Sequence, residues 1–197
     1  MPNTELQNQV LSVCKENLSQ RSRWDERPEL LVLERHDDAG LTAQRFPVPD
    51  VLWERRHPAE VLTAVADFCR LSGMVAPADT VAVALRYEAY SISCHSSPQA
   101  AEAIRRRAVG GSVPRNEEIP GRVEQRRITA VDRQGYHYDV AADRQSDGTA
   151  APPVGQVVSG SVRLSGRIPD ALTAFSLAID PNSGAGDGAS GSSLSEL

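Results

Sequence analysis

The chain is nearly devoid of lysine: Lys15 is the one lysine among 21 basic residues, so arginine carries the positive charge. Aromatic residues make up only 5%, and a core with so few rings must be built from Val, Leu, Ile and Ala. Cysteine is confined to Cys14, Cys69 and Cys94. Three cannot all pair within one chain, and their irregular spacing lacks the Cys-x₂-Cys and His-x₃-His patterns of a metal site. They are expected to be reduced thiols in a cytosolic protein, two of them on apolar helix faces. Long apolar runs are missing as well. The most apolar, Val81 to Leu85, falls far short of the ~20 residues of a membrane span. Met1 to Leu6 lacks the basic start and apolar run of a signal peptide. Walker-type loops, dinucleotide fingerprints and Gly-x-Ser-x-Gly elbows do not occur. The net charge of -5 favours solubility and opposes non-specific binding to nucleic acid, which needs a positive field.

What remains is 197 residues with 40% hydrophobic content, enough for one domain with a core. The clearest element is a hairpin, with strands from Val123 to Val131 and Tyr136 to Asp143 joined at Asp132-Arg133-Gln134-Gly135. Its natural partner is Thr80 to Ser93. There Val81, Val83, Leu85 and Tyr87 point one way and Ala82, Ala84, Arg86 and Glu88 the other, and two apolar faces indicate a central strand. Leu30 to Arg35 and Leu41 to Pro47 predict a second hairpin. Phe46-Pro-Val-Pro49 places it at a sheet edge, because proline offers no ladder donor. Val157 to Leu164, interrupted by Gly160, reads as a weak or edge strand.

Helices are predicted over 4–18, 58–72, 98–108 and 169–179. In the first, Leu6, Val10, Val13 and Cys14 form a stripe. In the second, Val61, Leu62, Val65, Phe68, Cys69 and Leu71 make a broad apolar face ended by Gly73. The expected fold class is α+β, a mainly antiparallel sheet of about five strands with helices packed on it. Residues 1–27 form an amino-terminal helix and connector, 28–180 a single α+β domain, and 181–197 a disordered Gly/Ser-rich acidic tail.

Two surfaces are candidate sites. Arg86 and Glu88 share a strand face, as do Glu124 and Arg126. Side by side, these would form a charged ladder able to hold a polar or anionic ligand, or simply an exposed ion-pair stripe. The stripe Leu6, Val10 and Val13 could dock on a protein partner or a second copy. Nine arginines against six carboxylates between 105 and 144 give a third option, nucleic-acid binding through Arg105 to Arg127, which the overall charge disfavours. Cys94-His95 forms no dyad, because neighbours on an extended chain face opposite ways. No catalytic residue, metal site or cofactor is expected.

The run Gly121-Arg-Val-Glu-Gln-Arg-Arg-Ile-Thr-Ala-Val-Asp-Arg133, with Leu85-Arg-Tyr-Glu-Ala-Tyr90 upstream, resembles a group of actinobacterial and actinophage proteins over roughly residues 80 to 144. The group has no assigned activity, so the resemblance implies an origin but transfers no site residue. The function read from the sequence is a non-enzymatic, cytoplasmic accessory protein that acts by protein binding. It would be encoded by a phage or mobile element, with the Arg86/Glu88 ligand face as the alternative.

Overall fold

Strand β3 is the axis of the fold. In the computed structural model, which describes residues 4–37, 40–158 and 166–181, it spans Thr80–Ser91 and is flanked on both sides. Around it stand β1 (Glu29–His36), β2 (Gly40–Arg45), β4 (Val123–Asp132), β5 (His137–Asp143) and β6 (Val154–Val158), in the order β2-β1-β3-β4-β5-β6. Every neighbouring pair is antiparallel. The fold is α+β, as the alternation indicates, but the sheet has six strands rather than five.

The two faces of β3 collect separate cores. Val83 and Leu85, with Leu30 of β1 and Val131 of β4, face α2 (Asp50–Arg55), α3 (Pro58–Ser72) and α5 (Arg167–Ala178). Ala82 and Ala84, with Leu31, Leu33, Ile128, Ala130, Tyr138 and Val140, face α1 (Thr4–Ser19). Helix α1 approaches the sheet closely at β6, where a Cβ on Gly155 would stand 2.8 Å from Val140 Cγ2 and 3.2 Å from Leu11 Cδ2. Burying Val10 and Leu18 of α1 (0% and 1% exposed) is worth about 1.5–3 kcal/mol per side chain. A register shift opposite Leu33/Glu34 skips Val81. That bulge turns Val81 to the α1 side, away from the face that simple alternation gives it.

The β4–β5 turn is held by Asp132, whose Oδ1 accepts from the amides of Gln134 and Tyr136, both at 2.9 Å. Its Oδ2 accepts from the Tyr138 hydroxyl at 2.7 Å, and Gly135 supplies the positive φ of 82°. Residues 47–49, with their prolines, follow edge strand β2 as expected. The helix α2 that comes next has no counterpart in the sequence reading. On α3, Val61, Leu62, Val65, Ala66 and Cys69 are buried, whereas Phe68 and Leu71 are 59% and 89% exposed. At 3.6 residues per turn, Phe68 lies on the flank of the buried stripe and Leu71 nearly opposite it, so the apolar face is narrower than predicted. Helix α4 (Pro98–Ala108) is peripheral and buries only Ala100 and Ala103, against Ile119. The weak strand expected at 157–164 overlaps β6, which begins three residues earlier, at Val154. Residues 159–164 of that prediction, and the tail from 182 on, lie outside the described residues.

Candidate functional site

The ladder between β3 and β4 places Glu88 directly opposite Arg126, with Arg86 opposite Ile128 and Tyr90 opposite Glu124. The four charged residues singled out from the sequence therefore meet on one face, the face that carries α1. They are not an open stripe. Arg86 and Arg126 are 4% and 2% exposed, because the connector between α1 and β1 crosses over them. Arg86 donates to Asn17 Oδ1 at 2.9 Å and pairs with Glu29 at 2.6 Å. Arg126 donates to the backbone carbonyls of Arg21, at 2.7 Å, and Arg23. Its guanidinium also lies 4.4 Å from the ring centre of Trp24.

Trp24 is the clasp of this connector. Arg144 lies over the same ring at 5.1 Å, and the indole N–H donates to the Gly148 carbonyl at 2.9 Å. Just beyond it, the Asp25 amide donates to Glu88 Oε2 at 2.8 Å. Asp25 is the single non-glycine residue with positive φ (63°) among the described residues, and aspartate tolerates that conformation better than most residues. Burial pushes the Glu88 carboxyl above its ordinary pKa, against the opposing pull of the Asp25 amide and Arg126. Both arginines thus act as internal struts, which removes them from any ligand that approaches from solvent.

The partner stripe on α1 is likewise engaged. Val10 is fully buried, and Leu6 and Val13 are partly buried, against the sheet of the same chain. The arginines from 105 to 127 do not form one surface. Arg105 and Arg106 share Glu102, Arg107 donates to Asn116 Oδ1, Arg126 is buried and Arg127 pairs with Asp139. Cys14 and Cys69 are buried on their helices, Cys94 is exposed, and all three are free thiols; burial pushes the Cys14 thiol up to about 12.

What sequence reasoning missed lies next to Glu88. Pairing of β1 with β3 ends at Glu29 opposite Arg86, while β3 continues through Ser91 beside β4 alone. A cleft of about 1130 Å³ opens along that overhang. On the α1 face of the sheet it is lined by Asp25, Glu88, Tyr90 and Glu124; on the opposite face Tyr87 and Ala89 meet His57, Arg167 and Ile168. Arg107, Arg115 and Asn116 close its far end, where Asn116 Nδ2 donates to the Tyr90 carbonyl at 2.7 Å. His57 caps α3, its Nδ1 accepting from the Ala59 amide at 3.2 Å. Burial, and then the charge of Arg167, lower its pKa and keep it neutral. The unequal lengths of β1 and β3 are the signal that could have located the cleft.

Oxygens of Asp25, Glu88 and Glu124 lie within 4.8 Å of one another, the one grouping among the described residues with the spacing to hold a cation. Glu124 is already paired with Arg144 at 2.9 Å and Glu88 with Arg126 at 3.6 Å. Their charge is partly neutralised, which suits a singly charged organic cation better than a divalent metal ion. Among the described residues no helix is long and apolar enough to cross a membrane. No protein-family model matches the chain, and comparison with curated proteins and with solved structures gives no match.

Proposed function

We propose that this chain is a non-enzymatic accessory protein that binds a protein partner, with the cleft beside Glu88 as the docking site. One observation carries the reading: five residues of a central strand, Tyr87 to Ser91, run beyond their neighbour, and the first four of them border a wide cleft. An unpaired strand edge attracts polypeptide, because its amides and carbonyls seek main-chain partners. The same proposal keeps the chain with the actinobacterial and actinophage proteins it resembles, in a phage- or mobile-element-encoded role in the cytoplasm. Photo-crosslinking tests it. With p-benzoylphenylalanine at position 89, discrete adducts identified by mass spectrometry should form in the host cell and be absent with the probe at position 154, on exposed Val154 of β6. Adducts at neither position, or the same ones at both, would rule the cleft out as the docking site.

A second reading, a domain that binds a small polar ligand or acts on it, is favoured by the raised Glu88 carboxyl in a cleft with charges of both signs. Shifted carboxylates in concave sites are a frequent mark of ligand chemistry. Such a ligand would be met by Glu88 and Glu124, with Arg86 and Arg126 acting only behind them.

A further inference from the structure

We infer that the cleft takes an extended peptide as an additional strand on β3, and that the peptide carries a lysine or arginine against Asp25, Glu88 and Glu124. This rests on the protein-binding reading and specifies the occupant. Backbone groups of a strand alternate in direction from one residue to the next. The Tyr90 carbonyl is turned to the open side, where Asn116 takes it, so Glu88, two residues earlier, points its N–H and C=O the same way. Those two groups and the Tyr90 N–H face the space that β1 vacates after Glu29. A peptide continuing along that path would complete the interrupted ladder.

The two walls select its side chains. Residues of an added strand point alternately to the two faces of the sheet. On the α1 face they meet the three carboxylates, of which Glu88 and Glu124 each have an arginine at ion-pair distance, whereas Asp25 has none that close and only feels the charge of Arg144. Counted by direct ion pairs alone, three carboxylates face two arginines, which leaves Asp25 as the acceptor for one ammonium or guanidinium. On the other face they meet Tyr87, Ala89 and Ile168, which favour an apolar or β-branched residue. The recognition pattern is therefore a basic residue flanked by apolar ones, in a segment of about five residues.

The probe is fluorescein-labelled Thr-Val-Lys-Val-Thr, capped at its carboxyl end, titrated with the full chain by fluorescence anisotropy. Two further versions carry backbone N-methyl groups, one on residues 2 and 4, the other on residues 1, 3 and 5. Strand addition requires that one methylated version binds about tenfold more weakly and the other like the parent, because only one set of amides faces β3. Replacing Lys by Glu should weaken binding at least tenfold. Asp25→Asn, which suits the positive φ, should weaken the Lys peptide about fivefold and reduce its salt dependence. Equal binding of both methylated versions, loss of both, indifference to Lys or Glu, or no binding of the parent below 1 mM would each overturn the inference. If adducts form from position 89 while the peptides behave in one of those ways, the partner docks without adding a strand and the protein-binding reading survives; if no adducts form, that reading fails first.

Discussion

Glu88 and Arg126 stand opposite each other in the β3–β4 ladder, Oε1 and Nε 3.6 Å apart, with Arg126 buried beneath a connector more than a hundred residues away in sequence. The pair joins three structures: the sheet, the clasped connector and the rim of the cleft.

Arg126→Met leaves the carbonyls of Arg21 and Arg23 without their donor and Glu88 without its counter-charge. Removing one partner of a buried pair costs about 3–5 kcal/mol. Chemical denaturation should show a loss of that size. The double variant with Glu88→Gln should lose less than the two singles together, by about 1–3 kcal/mol. Additive losses would mean that the pair is not coupled.

Trp24→Ala removes the ring under Arg126 and Arg144 and the hydrogen bond to Gly148. Contacts of these kinds are worth about 0.5–2 kcal/mol each, so a total loss of about 2–3 kcal/mol is expected. Hydrogen exchange should speed up in residues 20–28 while the core amides of β3 stay protected. Uniform acceleration across the chain would contradict the idea of a locally released connector.

The Glu88 carboxyl is raised in the fold, so the folded state holds its proton at pH values where the unfolded chain has released it. Its contribution to stability is complete below the ordinary carboxylate range of about 4–4.5 and is lost as pH climbs through the raised value. Stability curves of the wild type and Glu88→Gln, subtracted from each other, should slope in that window and run parallel above it. A slope of the opposite sign would show that Arg126 and the Asp25 amide outweigh burial.

His57 behaves in the reverse sense. Its pKa is lowered, so the neutral ring that caps α3 persists at and above pH 6.5 and is lost as pH falls through the lower folded value. Asn accepts the same amide hydrogen bond at any pH, whereas Ala should cost about 1 kcal/mol. Thermal melts of His57→Asn should lack the part of the acid-side decline that the cap causes in the wild type.

Much of the fold is written in local pattern. Alternation in Thr80–Ser91 and in the hairpin after Gly121 identifies central strands, and the adjacency of Glu88 and Arg126 follows from pairing them. The stripe on α1 marks the residues that dock, and Pro47 and Pro49 mark the edge beside β2. Helix α2 was legible in principle, since Pro49 followed by Asp50 is a helix-start signal, but its single turn and a half offers too short a period to detect. The last strand was legible from Val157 on, but its start at Val154 was not, because Gly155 and Gln156 break the apolar pattern there.

Apart from Val81 at the bulge and Phe68 and Leu71 at the margin of α3, residue order alone determined which side chains share a face, because the repeats of strand and helix are properties of the backbone itself. Whether a face is wet or dry was decided only by assembly. Arg86 and Arg126 look like surface residues until the end of α1, with Asn17, and the connector carrying Arg21 and Trp24 are laid across them, and α1 looks available until Gly155 admits it to the sheet. The cleft exists for the same reason: β1 stops where β3 continues, a mismatch between two strands that neither contains by itself.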